Sequence, residues 1–265
     1  MDVTKPSGFA LHLVSVLKGA KDGFTLWQGM LCSSWVSMCR STTRRSWLNP
    51  LGLESLQCVA LGNTMVSRTV LISLLCVALG ASWVLEQPVS SLAWRHPRFQ
   101  WMCTTHKVYI CRMWMMHYDH ECPKRTALWS SNPAVLRFDK GPLTREFKEK
   151  QRAKHGNVHL VKRTIDKSGE RRFTGNALLK GTQTYTREFG MKMAEELPAF
   201  NGASPTIASA CHEDSVIEAL CNMDMGRDDW SDAGLPELLE YLYGARGLQV
   251  PRLWRRCFPD SLFER

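Results

Sequence analysis

Within its 265 residues the chain has no Cys-x-x-Cys pair, no Gly-x-Gly and no internal repeat. Each absence excludes something. Without closely paired cysteines the usual zinc frameworks are missing. Without a repeat, a solenoid or propeller is excluded. The start, MDVTKPSGF, lacks the apolar core of a signal peptide. The ten cysteines are scattered and trace no disulfide framework. These features predict reduced thiols in an intracellular compartment, nuclear or cytoplasmic. His117, His120 and Cys122 lie close together, but a fourth ligand at suitable spacing is missing. That segment is expected to be strand and loop, with no metal.

Apolar residues make up 44% of the chain, enough for a packed core. The net charge is +9 and it is concentrated. Arg137 to Lys180 carries thirteen Lys/Arg against five Asp/Glu, and the remainder is nearly balanced. A local cationic face favours polyanions such as nucleic acid. Lys162, Arg163, Arg171 and Arg172 are the expected contacts, and a solvated surface hairpin is the plain alternative. Arg44 and Arg45 fall in a loop, where a solvated surface is favoured over a phosphate clamp. Trp94, Trp101, Trp114 and Trp129 are expected to pack rather than to stack on bases.

VLISLLCVALGASWVL, residues 70–85, is apolar for sixteen positions. A bilayer span needs about 20 predominantly apolar residues. The pattern favours a buried helix, a turn at Gly80 and a buried strand, with a membrane segment as the alternative.

Ser7 is placed to cap a helix with apolar residues at Phe9, Leu13, Val16 and Leu17. Phe24–Leu31 is strand-like. Residues 32–61 read as loop. Asn63 is placed to cap a second helix, about 64–79, which is apolar on nearly every face. Ser82–Glu86 is a second strand, ended by Gln87-Pro88. Strands without alternation belong in parallel sheets covered on both faces. A strand–helix–strand unit of this kind puts both strand C-termini at one rim, where open α/β sheets bind ligands. Cys32 and Glu86, 54 residues apart, are therefore expected at that rim. Further strands are predicted at 107–114 and 126–131, a hairpin at 158–174, and a helix at about 191–197. Residues 201–210 read as a linker, and 211–265 as a helical tail.

Four segments resemble DNA cytosine-5 methyltransferases, and their order along the chain agrees with that family's. QGMLCSSW is similar to the family's Gly-Phe-Pro-Cys-Gln segment, and WVLEQP to its Glu-Asn-Val strand end. YDHECPKRT is similar to its Tyr-Gly-x-Pro-Gln-x-Arg loop, and MDVT to its Gly-Asp-Ile-Thr segment. GFALHL, CSSW, LEQPVSS and KRTALWSS also resemble segments of a large protein family of dinoflagellate algae. The methyltransferase resemblance covers about residues 1–135.

It implies a Rossmann-like α/β core in three layers, with residues 136–200 as a basic hairpin and helix extension and 201–265 as linker and tail. It implies Cys32 as a nucleophile toward a flipped pyrimidine and Glu86 as the acid at the base's ring nitrogen. Arg125 would steady the carbonyl oxygen, with Lys124 as an equally placed cation. Asp2 would approach the adenine of S-adenosylmethionine. Leu31, Ser33 and Gln87 depart from the family pattern. The family's glycine turn for the cofactor's methionine part has no counterpart here. The expectation is a truncated or degenerate methyltransferase-like chain that acts on or binds nucleic acid. An inactive binding module using residues 137–180 is the runner-up.

Overall fold

The computed structural model describes residues 2–19, 24–158, 160–165, 167–169, 171–175 and 177–201. Apart from Asn201, which ends a helix, the expected linker (201–210) and the helical tail (211–265) lie outside them. The described chain is mixed α/β. Four strands form one open sheet: β1 (Thr25–Gly29), β2 (Ser82–Pro88), β3 (Tyr109–Trp114) and β4 (Arg125–Ser130), in the order β1-β2-β4-β3. β1 and β2 are parallel, and β4 is antiparallel to both β2 and β3. A separate two-stranded ladder pairs β5 (Val161–Ile165) with β6 (Arg171–Gly175).

Helices α1 (Pro6–Gly19), α3 (Gln57–Ala78) and α4 (Pro97–Thr105) cover one face of the sheet. α3 connects β1 to β2 and packs on both. Its apolar side chains, among them Val66, Val70, Ile72 and Leu75, meet Trp83, Leu85 and Trp129 from the sheet. The window Gln57–Val77 is long and apolar enough to cross a membrane, and 67% of it is buried inside the protein. Gly80 takes φ 70° after the helix, and Ala81 N donates back to Cys76 O at 2.8 Å. This left-handed turn satisfies orphan carbonyls and turns the chain into β2.

α3 starts earlier than the sequence predicts. Asn63 is not its cap but sits inside it, where its Oδ1 accepts from Arg45 Nη1 at 2.8 Å. The 32–61 loop also contains α2 (Arg40–Thr43).

The opposite face is covered by later sequence. α6 (Arg187–Asn201) and the 3-10 turns Met115–Tyr118 and Pro133–Phe138 bring Tyr118, Phe138, Phe189 and Phe200 against Val84, Cys111, Met113 and Leu128. Phe189 is fully buried, within 5.7 Å of the Trp27, Tyr118, Phe138 and Tyr185 ring centroids. Residues 185–201 thus form one layer of the core. α5 (Arg145–His155) buries no residue and lies on the surface, tied by Lys154 and His155 to Asp119 at 2.6 and 2.9 Å.

Candidate nucleic-acid site at the sheet rim

β1 and β2 run in register so that Gly29 faces Glu86. The chain leaves β1 through Met30 and Leu31 and reaches Cys32 three residues past the strand. Gln87 locks this exit, since its Nε2 donates to Met30 O at 2.6 Å while its Oε1 accepts from Ser91 Oγ at 3.0 Å. The loop after Cys32 turns back at once, with Trp35 N donating to Cys32 O at 2.9 Å.

Arg45 holds that loop from beneath. It is 2% exposed, so neither solvation nor a phosphate clamp describes it. Its guanidinium donates to Ser34 O, Pro50 O, Leu51 O, Val59 O and Asn63 Oδ1, and lies 3.3 Å from the Trp35 ring centroid. Burial pulls its pKa down to about 10, which leaves it charged at neutral pH. A buried cation is tolerable here because its donors meet acceptors and its face meets an indole.

Cys32 and Glu86 do share the rim, close enough to influence each other electrostatically. Burial is the first reason that the Cys32 thiol is held above its usual value; the Glu86 charge is the second, and Lys124 opposes both. At neutral pH the sulfur is a thiol and not a thiolate. Glu86 is 6% exposed. Its Oε1 faces Lys124 Nζ at 3.4 Å and accepts no hydrogen bond; its Oε2 accepts from Tyr185 Oη at 3.4 Å.

Tyr185 is the residue that sequence reasoning missed. It arrives from 99 positions beyond Glu86, and nothing local marks it. The segment that carries it is strapped down by Lys124 Nζ, which donates to Thr182 O at 3.1 Å, and by Thr186 Oγ1, which donates to Tyr118 O. Gly29 makes the approach possible, since a Cβ there would lie 2.9 Å from Tyr185 Oη. Burial, then Glu86, raises the phenol's pKa, so Tyr185 stays a neutral donor.

Of the other expected residues, Arg125 does not join this group. Its guanidinium stacks 5.3 Å from the Trp114 ring centroid, and Lys124 is the cation that reaches Glu86. Asp2 is exposed, and its Oδ1 accepts from Thr4 N and Thr4 Oγ1. It lines a cavity of about 680 Å³ with Thr4, His12, Gln28, Ser33 and Thr69, beside the edge of β1 that pairs with no strand among the described residues. Lys162, Arg163, Arg171 and Arg172 lie on the paired strands β5 and β6, and their side chains lie outside the described residues. The hairpin's end is near the rim: a Cβ at Gly175 would meet Met38 Cε at 3.4 Å. His120 Nδ1 accepts from Cys122 N, while His117 turns to Gly141 O; among the described residues no metal-holding cluster forms.

No family model, no curated protein and no solved structure matches this chain.

Proposed function

We propose that this chain is a methyltransferase-like nucleic-acid-binding protein whose base-contacting site is Cys32, Glu86 and Lys124. One observation carries the reading: a thiol and a carboxylate far apart in sequence lie within electrostatic reach of each other where two parallel strands end. That is the place at which open α/β sheets take ligands. A soft nucleophile beside an acid suits addition to an electron-poor ring. Lys124 suits an anionic or carbonyl oxygen. The resting state is held back, because the thiol is protonated and Tyr185 fills the space against Glu86.

S-adenosylmethionine fits this chain only in part. The cavity beside β1 offers Asp2 and Thr4 on one wall, but Asp2 already spends Oδ1 on Thr4. No glycine turn is present for the methionine end. The residues present do not make a complete cofactor site, and turnover is not part of the proposal.

A second reading has its own support. α5 exposes Lys150, Arg152 and Lys154, and the basic hairpin abuts the loop after Cys32. On this reading the cationic extension binds the phosphates and the rim is inert.

Photocrosslinking separates the two. A labelled oligonucleotide containing 5-iodocytosine is irradiated with the protein, and the crosslinked peptides are mapped. Crosslinks at the peptides bearing Cys32, Lys124 or Thr182–Tyr185 support the rim. Crosslinks confined to residues 137–180 support the second reading. Failure to bind any oligonucleotide at 50 mM salt removes both, since phosphate contacts are strongest there.

A further inference from the structure

A second pocket, of about 200 Å³, opens on the helix-covered face beyond α4. It lies where the edge of the sheet, Ile110 and Arg112 on β3 with Trp129 on β4, is left uncovered. The loop after β2 supplies Trp94, and the loop after Cys32 supplies Arg40 and Trp47. Trp47 and Trp94 meet edge to face, with ring centroids 5.4 Å apart. Arg95 stacks on both rings at 4.6 and 5.2 Å and donates to Trp47 O, which stiffens the wall.

Three observations point to a ligand. Trp47 is 54% exposed, although large indoles are usually well covered. Arg40 Nε is buried and has no hydrogen-bond partner, and neither Arg40 nor Arg112 has an ion pair among the described residues. No Asp or Glu lines the pocket, and its charged lining residues are Arg40 and Arg112. Such a place has one sign of field and two flat aromatic walls. Its size is below that of ordinary drug-sized pockets, so it suits a single ring system rather than an extended molecule.

We propose that this pocket binds one nucleotide unit, with the base against Trp47 and Trp94 and the phosphate on Arg40 and Arg112. It deepens the nucleic-acid reading, and rests on it for the expectation that the unit belongs to a single strand. A paired base has both faces stacked and its edge engaged, whereas an unpaired one offers its face to an indole. A free nucleotide carries the same chemistry.

The test is fluorescence anisotropy with a labelled single-stranded oligonucleotide, its duplex, and AMP as competitor. The proteins are wild type, Trp47→Ala, Arg112→Glu and a control, Lys148→Glu/Lys150→Glu on α5. Trp47 and Arg112 are exposed, so both variants should fold; circular dichroism checks this. The proposal expects each pocket variant to weaken single-strand binding about tenfold, the scale of one lost base stack. AMP should compete with wild type. If AMP binds and the variants lose only AMP, the nucleotide pocket stands and its ligand is free nucleotide. Unchanged affinity for oligonucleotide and AMP in both pocket variants overturns the pocket. If the α5 control alone then loses binding, the nucleic-acid reading survives without it.

Discussion

The two faces of the four-stranded sheet are made differently. The helix-covered face is built from nearby sequence, in which α1, β1, α3, β2 and α4 follow one another and α3 packs on the other four. The aromatic face is built from afar, with Phe189, Tyr185 and Phe200 returning to strands laid down some 60 to 170 residues earlier. The first face carries the scaffold that fixes where Cys32 emerges. The second carries Tyr185, whose hydroxyl donates to Glu86 at the rim. The lesson is that the two faces that meet at the rim are packed by separate sets of residues, one local in sequence and one distant.

The largest expected effect tests the scaffold. Arg45→Met strips the acceptors at Ser34, Pro50, Val59 and Asn63 of this donor, while Leu51 O keeps one from Asn63 Nδ2. With three or more acceptors left bare at about 1 kcal/mol or more each, a loss above about 3 kcal/mol is expected in urea unfolding. A smaller loss would mean that the loop finds water or another partner.

The aromatic face should answer to Phe189→Ala, at about 3–5 kcal/mol for a buried phenyl ring. This variant should also speed alkylation of Cys32, because α6 carries Tyr185's support. Destabilisation without faster alkylation would show that the strap holds independently of α6.

A pH effect distinguishes the faces further. His96 caps α4, its Nδ1 accepting from Arg98 N, and burial pulls its pKa down to about 4. The unfolded chain binds this proton near pH 6.5 and the folded chain only near pH 4. Stability from His96 is therefore complete above pH 6.5 and falls as the pH drops toward 4, by about 3 kcal/mol in all. His96→Asn, which keeps a capping oxygen, should flatten this slope in acid titrations followed by circular dichroism.

The smallest effects lie at the rim. Glu86→Gln removes a charge that holds the Cys32 thiol up, so the pH profile of Cys32 alkylation should move to lower pH; Lys124→Met should move it higher. Peptide mapping after iodoacetamide treatment reads both. No movement in either would mean that burial alone sets the thiol.

Much of the first face was legible. The unalternating strands of 24–31 and 82–86 announced a parallel pair, and with it the shared rim of Cys32 and Glu86. The apolar run from Val70 announced a covered helix. The second face was not legible, because its contacts are long-range. Tyr185 sits in YTREFG, which reads only as the lead into a helix, and no periodicity encodes its reach to Glu86. Arg45 misled for a related reason. Two arginines in a polar loop look solvated, and only the fold shows five acceptors converging on one of them. Of Lys124 and Arg125, which the sequence could not rank, the first reaches Glu86. It stands just before β4, where the chain is still free to turn inward.

Gly29 ties two distant positions into one inheritance. Its missing methyl group leaves the room that the Tyr185 hydroxyl occupies. Gly29→Ala should be harmful beside tyrosine and nearly silent once Tyr185→Phe has removed the oxygen. A lineage that drifts to phenylalanine at 185 is thereby released at 29, and one that keeps tyrosine is bound to glycine; the order in which the two changes arise is not free.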